Sequence, residues 1–147
     1  MQIEDLLAAS DVIVDFAARD KADLLQALAV RAARLLKLNP NTVADAMHRR
    51  DELGSTGIGN GVSIPHARLR ELKKPFGLLA RLKQPLDYQA IDGEPVDIVF
   101  MLLLPAFSQL EQLNALAVVA RKLRDEGVLK RVRSAANALE LFRAVTA

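Results

Sequence analysis

Arg50 and His66 bracket the stretch "RDELGSTGIGNGVSIPH", where four of the chain's seven glycines crowd between Gly54 and Gly61. A neutral imidazole is a competent nucleophile near neutral pH, because its ordinary pKa is about 6.5. An arginine offers a planar fork of donors suited to carboxylate or phosphate. Glycines admit positive φ and close backbone approach, so their N–H groups can face an anion. Ser55 and Thr56 add hydroxyl donors. Side chains of these types describe nucleophilic chemistry on an anionic group, with His66 as the attacking residue. Each feature also has a plainer reading. The glycine stretch reads equally as a tight connection, and His66 as a hydrogen-bonded structural residue. Arg49 and Arg50 read as a solvated helix end, where the dipole favours cations.

Spacing removes two nucleotide-binding alternatives. A P-loop requires Lys and Ser or Thr directly after its last glycine. Gly61 is followed instead by Val62, Ser63, Ile64 and Pro65. A dinucleotide fingerprint runs strand, loop, helix, whereas the order expected here is helix, loop, strand. His48 stands on a helix between Met47 and Arg49 and reads as surface. Two histidines and no cysteine argue against a zinc site. No metal and no cofactor are expected.

The elements that hold these residues follow from periodicity and caps. "DVIVDF" is a short strand rich in β-branched residues. Asp20 and Asp23 form a capping-box pattern ahead of an amphipathic helix from Lys21 to Leu38, with Leu24, Leu25, Leu28, Leu35 and Leu36 at helical spacing. "NPNT" is a turn, and Thr42 with Asp45 caps a second helix from about Val43 to Glu52, ended by Gly54. A short strand leads to His66, and "RLRELKKP" follows as a charged loop. "FGLLARL" is a strand and "AIDGEPV" a turn. "VDIVFMLLLP" is a continuous apolar run, the pattern of a central strand covered on both faces. Ser108 and Glu111 cap a helix whose apolar stripe is Leu110, Leu113, Leu116, Ala117, Ala120 and Leu123. Gly127 is placed at that helix's C-terminal left-handed position. "LKRVR" and "AANALELFRAV" are shorter helices, the last capped by Ser134. Alternating helices and strands with one doubly buried strand predict an α/β fold, a mixed sheet flanked by helices on both faces.

Composition bounds the rest. The chain of 147 residues suits one domain over 1–147. Aromatics are only 4% of it, so the core is aliphatic. A net charge of +2, scattered along the chain, does not point to nucleic acid. The absence of cysteine excludes a disulfide framework and permits a cytoplasmic location. The acidic start "MQIEDLLAASDVIVDF" does not read as a signal peptide. No apolar run is long enough for membrane insertion.

Taken together, Arg50, "LGSTGIGNGVSIPHAR" and a capped helix after "LLLPA" closely resemble the IIA domains of the bacterial phosphoenolpyruvate phosphotransferase system. The likeness spans essentially the whole chain. It is to the mannitol/fructose type, and within that to the stand-alone nitrogen-regulatory branch. The resemblance implies a mixed sheet flanked by helices and a phosphoryl acceptor at His66, charged by a phosphohistidine carrier protein. It places Arg50 as the arginine that steadies the phosphoryl group, with Ser55 and Thr56 beside it. The family usually carries a second histidine on the helix after "LLxPA". Counting from Pro105, Gln112 occupies that position, and its amide is expected at the edge of the stripe, within reach of His66. The implied function is regulation of as yet unidentified target proteins by phosphorylation-dependent binding. Two alternatives stay open: a fructose- or mannitol-type IIA that passes the phosphoryl group to a sugar IIB partner, and a binding-only module.

Overall fold

A computed structural model describes all 147 residues, Met1 to Ala147. Its centre is the apolar run, strand β6 (Val96–Pro105), buried at every residue except Asp97. Antiparallel β5 (Phe76–Leu86) lies on one side of β6, with β1 (Val12–Phe16) parallel beyond it. Along its other edge β6 pairs in parallel with β3 (Val62–Ser63) at Ile98 and Val99, then with β4 (His66–Leu69) from Leu102 to Pro105. β2 (Gly57–Gly59) closes the edge antiparallel to β3. The sheet is mixed, as expected.

Side chains of a strand alternate between faces, and β6 supplies both cores. Ile98, Phe100, Leu102 and Leu104 join the cluster under α3 (Gln109–Arg124), α4 (Glu126–Ser134) and α5 (Ala138–Thr146). Val99, Met101 and Leu103 join the other cluster, under α1 (Lys21–Leu36) and α2 (Pro40–Glu52). Burying each such side chain is worth about 1.5–3 kcal/mol. Helices therefore cover both faces.

Local signals held at several helix starts and shifted at others. Asp20 caps α1, accepting from the Asp23 amide at 2.8 Å. The return arm of the expected box lands one residue early, with Asp23 accepting from the Arg19 amide. α1 stops at Leu36, short of Leu38, because Lys37 is left-handed with φ 58°. Its buried face turns to Ala29, Ala32 and Ala33, leaving Leu35 half exposed. α2 begins at Pro40 instead of Val43, since Asn39 caps it and a proline loses nothing at the first helical position. Thr42 and Asp45 thus lie inside the helix. Gly127 is also helical: the chain breaks at Asp125, which ends α3 and accepts from the Val128 amide to start α4. Asn137, not Ser134, caps α5; the Ser134 hydroxyl bonds back to the Lys130 carbonyl.

Two differences bear on the site. The glycine stretch is a β2–β3 hairpin whose turn residues Asn60 and Gly61 are left-handed, at φ 57° and 79°, the backbone that two-residue hairpins require. And the expected charged loop after "PH" begins as β4. Ala67 and Leu69 are buried while Arg68 and Arg70 are exposed, so "HARLR" alternates along a strand on the free edge of β6.

Candidate functional site

His66 opens β4, directly after the joint at Ile64 and Pro65. Pro65 has no N–H to place, and its carbonyl accepts from the Leu102 amide at 2.9 Å, which ties the joint to β6. The imidazole Nδ1 lies 2.8 Å from the Ile64 carbonyl oxygen. A carbonyl only accepts, so Nδ1 carries the proton and Nε2 keeps its lone pair. Arg50, in the last turn of α2, donates from Nε to that Nε2 at 3.3 Å and from Nη1 to the Gly54 carbonyl at 2.9 Å. The two contacts agree on one tautomer. Burial pushes the His66 pKa below its usual value, and the Arg50 charge adds to this against the opposing Ile64 bond. These contacts favour the neutral ring, with its unprotonated nitrogen bonded to a guanidinium.

His66 and Arg50 border an open cleft of about 640 Å³ between α2, β4 and the start of α3. Arg49, Arg68, Gln109 and Gln112 complete its polar lining, and no acidic side chain joins them. Three guanidiniums beside one imidazole give the cleft a cationic lining, chemically suited to an anionic group. Its rim is apolar: Leu53 and Leu113 line it while 84% and 65% exposed.

The model of the family described as "Phosphoenolpyruvate-dependent sugar phosphotransferase system, EIIA 2" matches residues 5–147. The chain belongs to this family. It is similar to a nitrogen regulatory protein of Bradyrhizobium diazoefficiens, 41% identical over 142 residues, which cover 97% of this chain and 93% of that protein. Its structure is similar to that of nitrogen regulatory protein IIA-Ntr from Neisseria meningitidis, with a TM-score of 0.92 and 30% identity over 98% of this chain and 99% of that one. The fold is also that of IIA mannitol from Escherichia coli, at TM-score 0.79 and 16% identity over 95% and 98% of the two chains.

Within this EIIA 2 domain the remaining expected residues divide. Gln112 lines the cleft but is buried, 8% exposed, rather than at the stripe's edge. The buried face of α3 is Gln112, Ala115, Val119 and Leu123, and Leu110 and Leu113 turn outwards. The amide tolerates burial because its Nε2 donates to the Pro105 carbonyl at 2.7 Å. Ser55 and Thr56 do not reach the cleft lining. The Ser55 hydroxyl donates to the Tyr88 carbonyl at 3.1 Å, and Thr56 shares a hydrogen bond of 3.0 Å with the Tyr88 hydroxyl. Their hydroxyls are engaged behind His66 instead of in front of it. His48 is half-buried on α2 and does not line the cleft.

Arg68 and Gln109 are cleft residues that the sequence reading did not assign. Arg68 stands two positions from His66 on β4, the spacing that puts side chains on one face. Read as a strand, "HAR" contains that signal. Gln109, the first residue of α3, has no comparable local signature. No three His, Asp or Glu side chains converge as metal ligands, and no helix is long and apolar enough to cross a membrane.

Proposed function

We infer that this EIIA 2 domain accepts a phosphoryl group on Nε2 of His66 from a phosphohistidine carrier protein in the cytoplasm. The observation that supports it is the unprotonated Nε2, bonded to Arg50 and facing a cleft of three arginines. The incoming phosphoryl oxygens compete for the Arg50 guanidinium, which frees the Nε2 lone pair. That pair forms the new N–P bond as the donor's N–P bond breaks, and the breaking pair returns to the donor's ring nitrogen. The His66 proton stays on Nδ1, held by the Ile64 carbonyl, so no base is needed. Arg50, Arg49 and Arg68 meet the charge on the equatorial oxygens, and positioning with fixed charge supplies most of the catalysis. Leu53, Leu110, Leu113 and Phe107, all exposed, let a docked carrier shut water from the transfer.

The domain then acts as a regulator that binds target proteins according to its phosphorylation state. Near-full-length similarity to nitrogen regulatory proteins supports this reading over delivery to a sugar IIB partner. The test is incubation with phosphoenolpyruvate, the first enzyme of the system and the carrier, followed by intact mass. Wild type gains one acid-labile, base-stable phosphoryl group, and His48→Ala behaves alike. His66→Ala gains none; equal labelling of that variant overturns the assignment.

A further inference from the structure

The chain has a single tyrosine. Tyr88 follows β5, is fully buried, and takes no part in the cleft lining. Its two polar ends hold Ser55 and Thr56, the residues between Gly54 and Gly57. Its carbonyl accepts from Ser55, and its hydroxyl pairs with Thr56. The packing between the two segments is tight: a Cβ added at Gly57 would lie 2.7 Å from the Ala90 Cβ. No larger residue fits there without moving one segment.

That segment presents one carbonyl to Arg50 and another to Ile64, the residue that bonds the His66 ring. Gly54 accepts from Arg50 Nη1. Thr56 accepts from the Ile64 amide at 3.0 Å, and the other side of Ile64, its carbonyl, accepts from His66 Nδ1. One short stretch of backbone therefore orients the guanidinium and, through the Ile64 residue, the ring. Arg50, Thr56, His66 and Tyr88 border one narrow gap. Lys21 lies over the Tyr88 ring at 5.2 Å and pairs with Asp51 at 3.0 Å, which holds the phenol ring from the α1 side.

We propose that Tyr88 is a positioning residue for His66: through Thr56 and the Ile64 residue it sets the ring tautomer that leaves Nε2 unprotonated. This rests on the reading of His66 as phosphoryl acceptor. Its structural half does not, since the tautomer exists without any donor. A network of buried hydrogen bonds is worth more than its separate members, because each bond fixes the geometry of the next.

Tyr88→Phe keeps the ring and the carbonyl and removes only the hydroxyl. Thr56→Val removes the partner hydroxyl at nearly constant shape. The ¹⁵N resonances of the His66 ring report the tautomer ratio in the unphosphorylated protein. In wild type the Nδ1–H form dominates. In each variant the ratio of Nε2–H to Nδ1–H rises about five-fold, the size of one lost positioning hydrogen bond, and the maximal phosphorylation rate falls in proportion to the lost Nδ1–H population at unchanged carrier KM. The double variant adds nothing to either single one, as residues acting through one bond require. A fall in thermal stability with unchanged His66 resonances and unchanged rate means Tyr88 only supports the fold, and the proposal is overturned. If wild type takes no phosphoryl group, the acceptor reading falls, and the ring resonances still decide the part played by Tyr88.

Discussion

The Nε of Arg50 stands 3.3 Å from Nε2 of His66, while Nη1 of the same guanidinium is pinned to the Gly54 carbonyl at 2.9 Å. One side chain thus both bonds the unprotonated ring nitrogen and is fixed to the backbone beside it. The arrangement needs a planar fork, because the two acceptors are met by different nitrogens of the guanidinium.

Arg50→Lys keeps the charge and cannot make both bonds. The expected phosphorylation rate is lower by roughly ten-fold or more, in the range seen when a fixed donor to developing charge is removed. Thermal stability should change by no more than about 1 kcal/mol, since the side chain is partly exposed. Arg49→Lys, also on the cleft, should slow transfer less because Arg49 makes no contact with His66. Rapid-quench labelling of the two variants beside wild type checks the ranking, and a larger loss from Arg49→Lys means the wrong neighbour holds the phosphoryl group.

Burial and the Arg50 charge depress the His66 pKa in the folded protein. The sign follows from linkage: the unfolded chain takes up its proton first as pH falls through about 6.5, while the folded ring stays neutral. The stability that His66 allows is therefore complete above that pH and declines below it, until the folded ring also titrates. Urea midpoints between pH 8 and pH 5 should fall more for wild type than for His66→Gln. Parallel midpoints would show the ring to be unperturbed. Labelling should persist somewhat below pH 6.5, because Nε2 is still unprotonated there.

What could be read from residues alone was largely local. Asp20 and Ser108 act within one helical turn, so their caps were visible, and the run around Phe100 announced a strand covered on both faces. Strand β4 was not visible, because His66 to Leu69 gains its hydrogen bonds from the distant edge of β6. The role of Tyr88 was hidden for the same reason: nothing near it in the chain points to Thr56. The α3 stripe failed differently. Leu110 and Leu113 share the helical spacing of core leucines, and periodicity alone does not separate a core face from an exposed apolar rim. The sequence puts Gln112 at the stripe's edge only because it precedes Leu113; with Leu113 facing out, the buried face turns onto Gln112, whose amide is satisfied by the Pro105 carbonyl.

That partner changes what substitution at Gln112 should do. Gln112→Ala removes the donor to a buried carbonyl and leaves a small void, a loss of about 1–3 kcal/mol. Denaturant unfolding should show it. Gln112→His should keep more of the stability if a ring N–H reaches Pro105, and its second nitrogen would face the cleft. Below neutral pH that ring gains charge and should raise the phosphorylation rate over wild type. Rates for the three proteins between pH 6 and pH 8 test the second half. Identical profiles would place residue 112 outside the chemistry, as a purely structural amide.

The apolar rim gives a prediction that separates docking from chemistry. Leu110 and Leu113 are 71% and 65% exposed, and Leu53 beside the cleft is 84% exposed. Exposed leucines contribute little to folding, so Leu113→Glu should leave the unfolding midpoint within about 0.5 kcal/mol of wild type. A carrier that buries this rim loses contact area and must desolvate the new carboxylate, which also offsets the attraction of the three cleft arginines. The cost on association should be about 1–3 kcal/mol, a rise in the carrier KM of roughly five-fold or more. His66, Arg50 and the Ile64 bond are untouched, so the maximal rate should stay near wild type. This is the opposite of the pattern expected for Arg50→Lys, which lowers the maximal rate. Labelling across a range of carrier concentrations resolves the two terms. An unchanged KM for Leu113→Glu would mean that the carrier approaches His66 without covering α3, and another element would then have to shield the transfer from water.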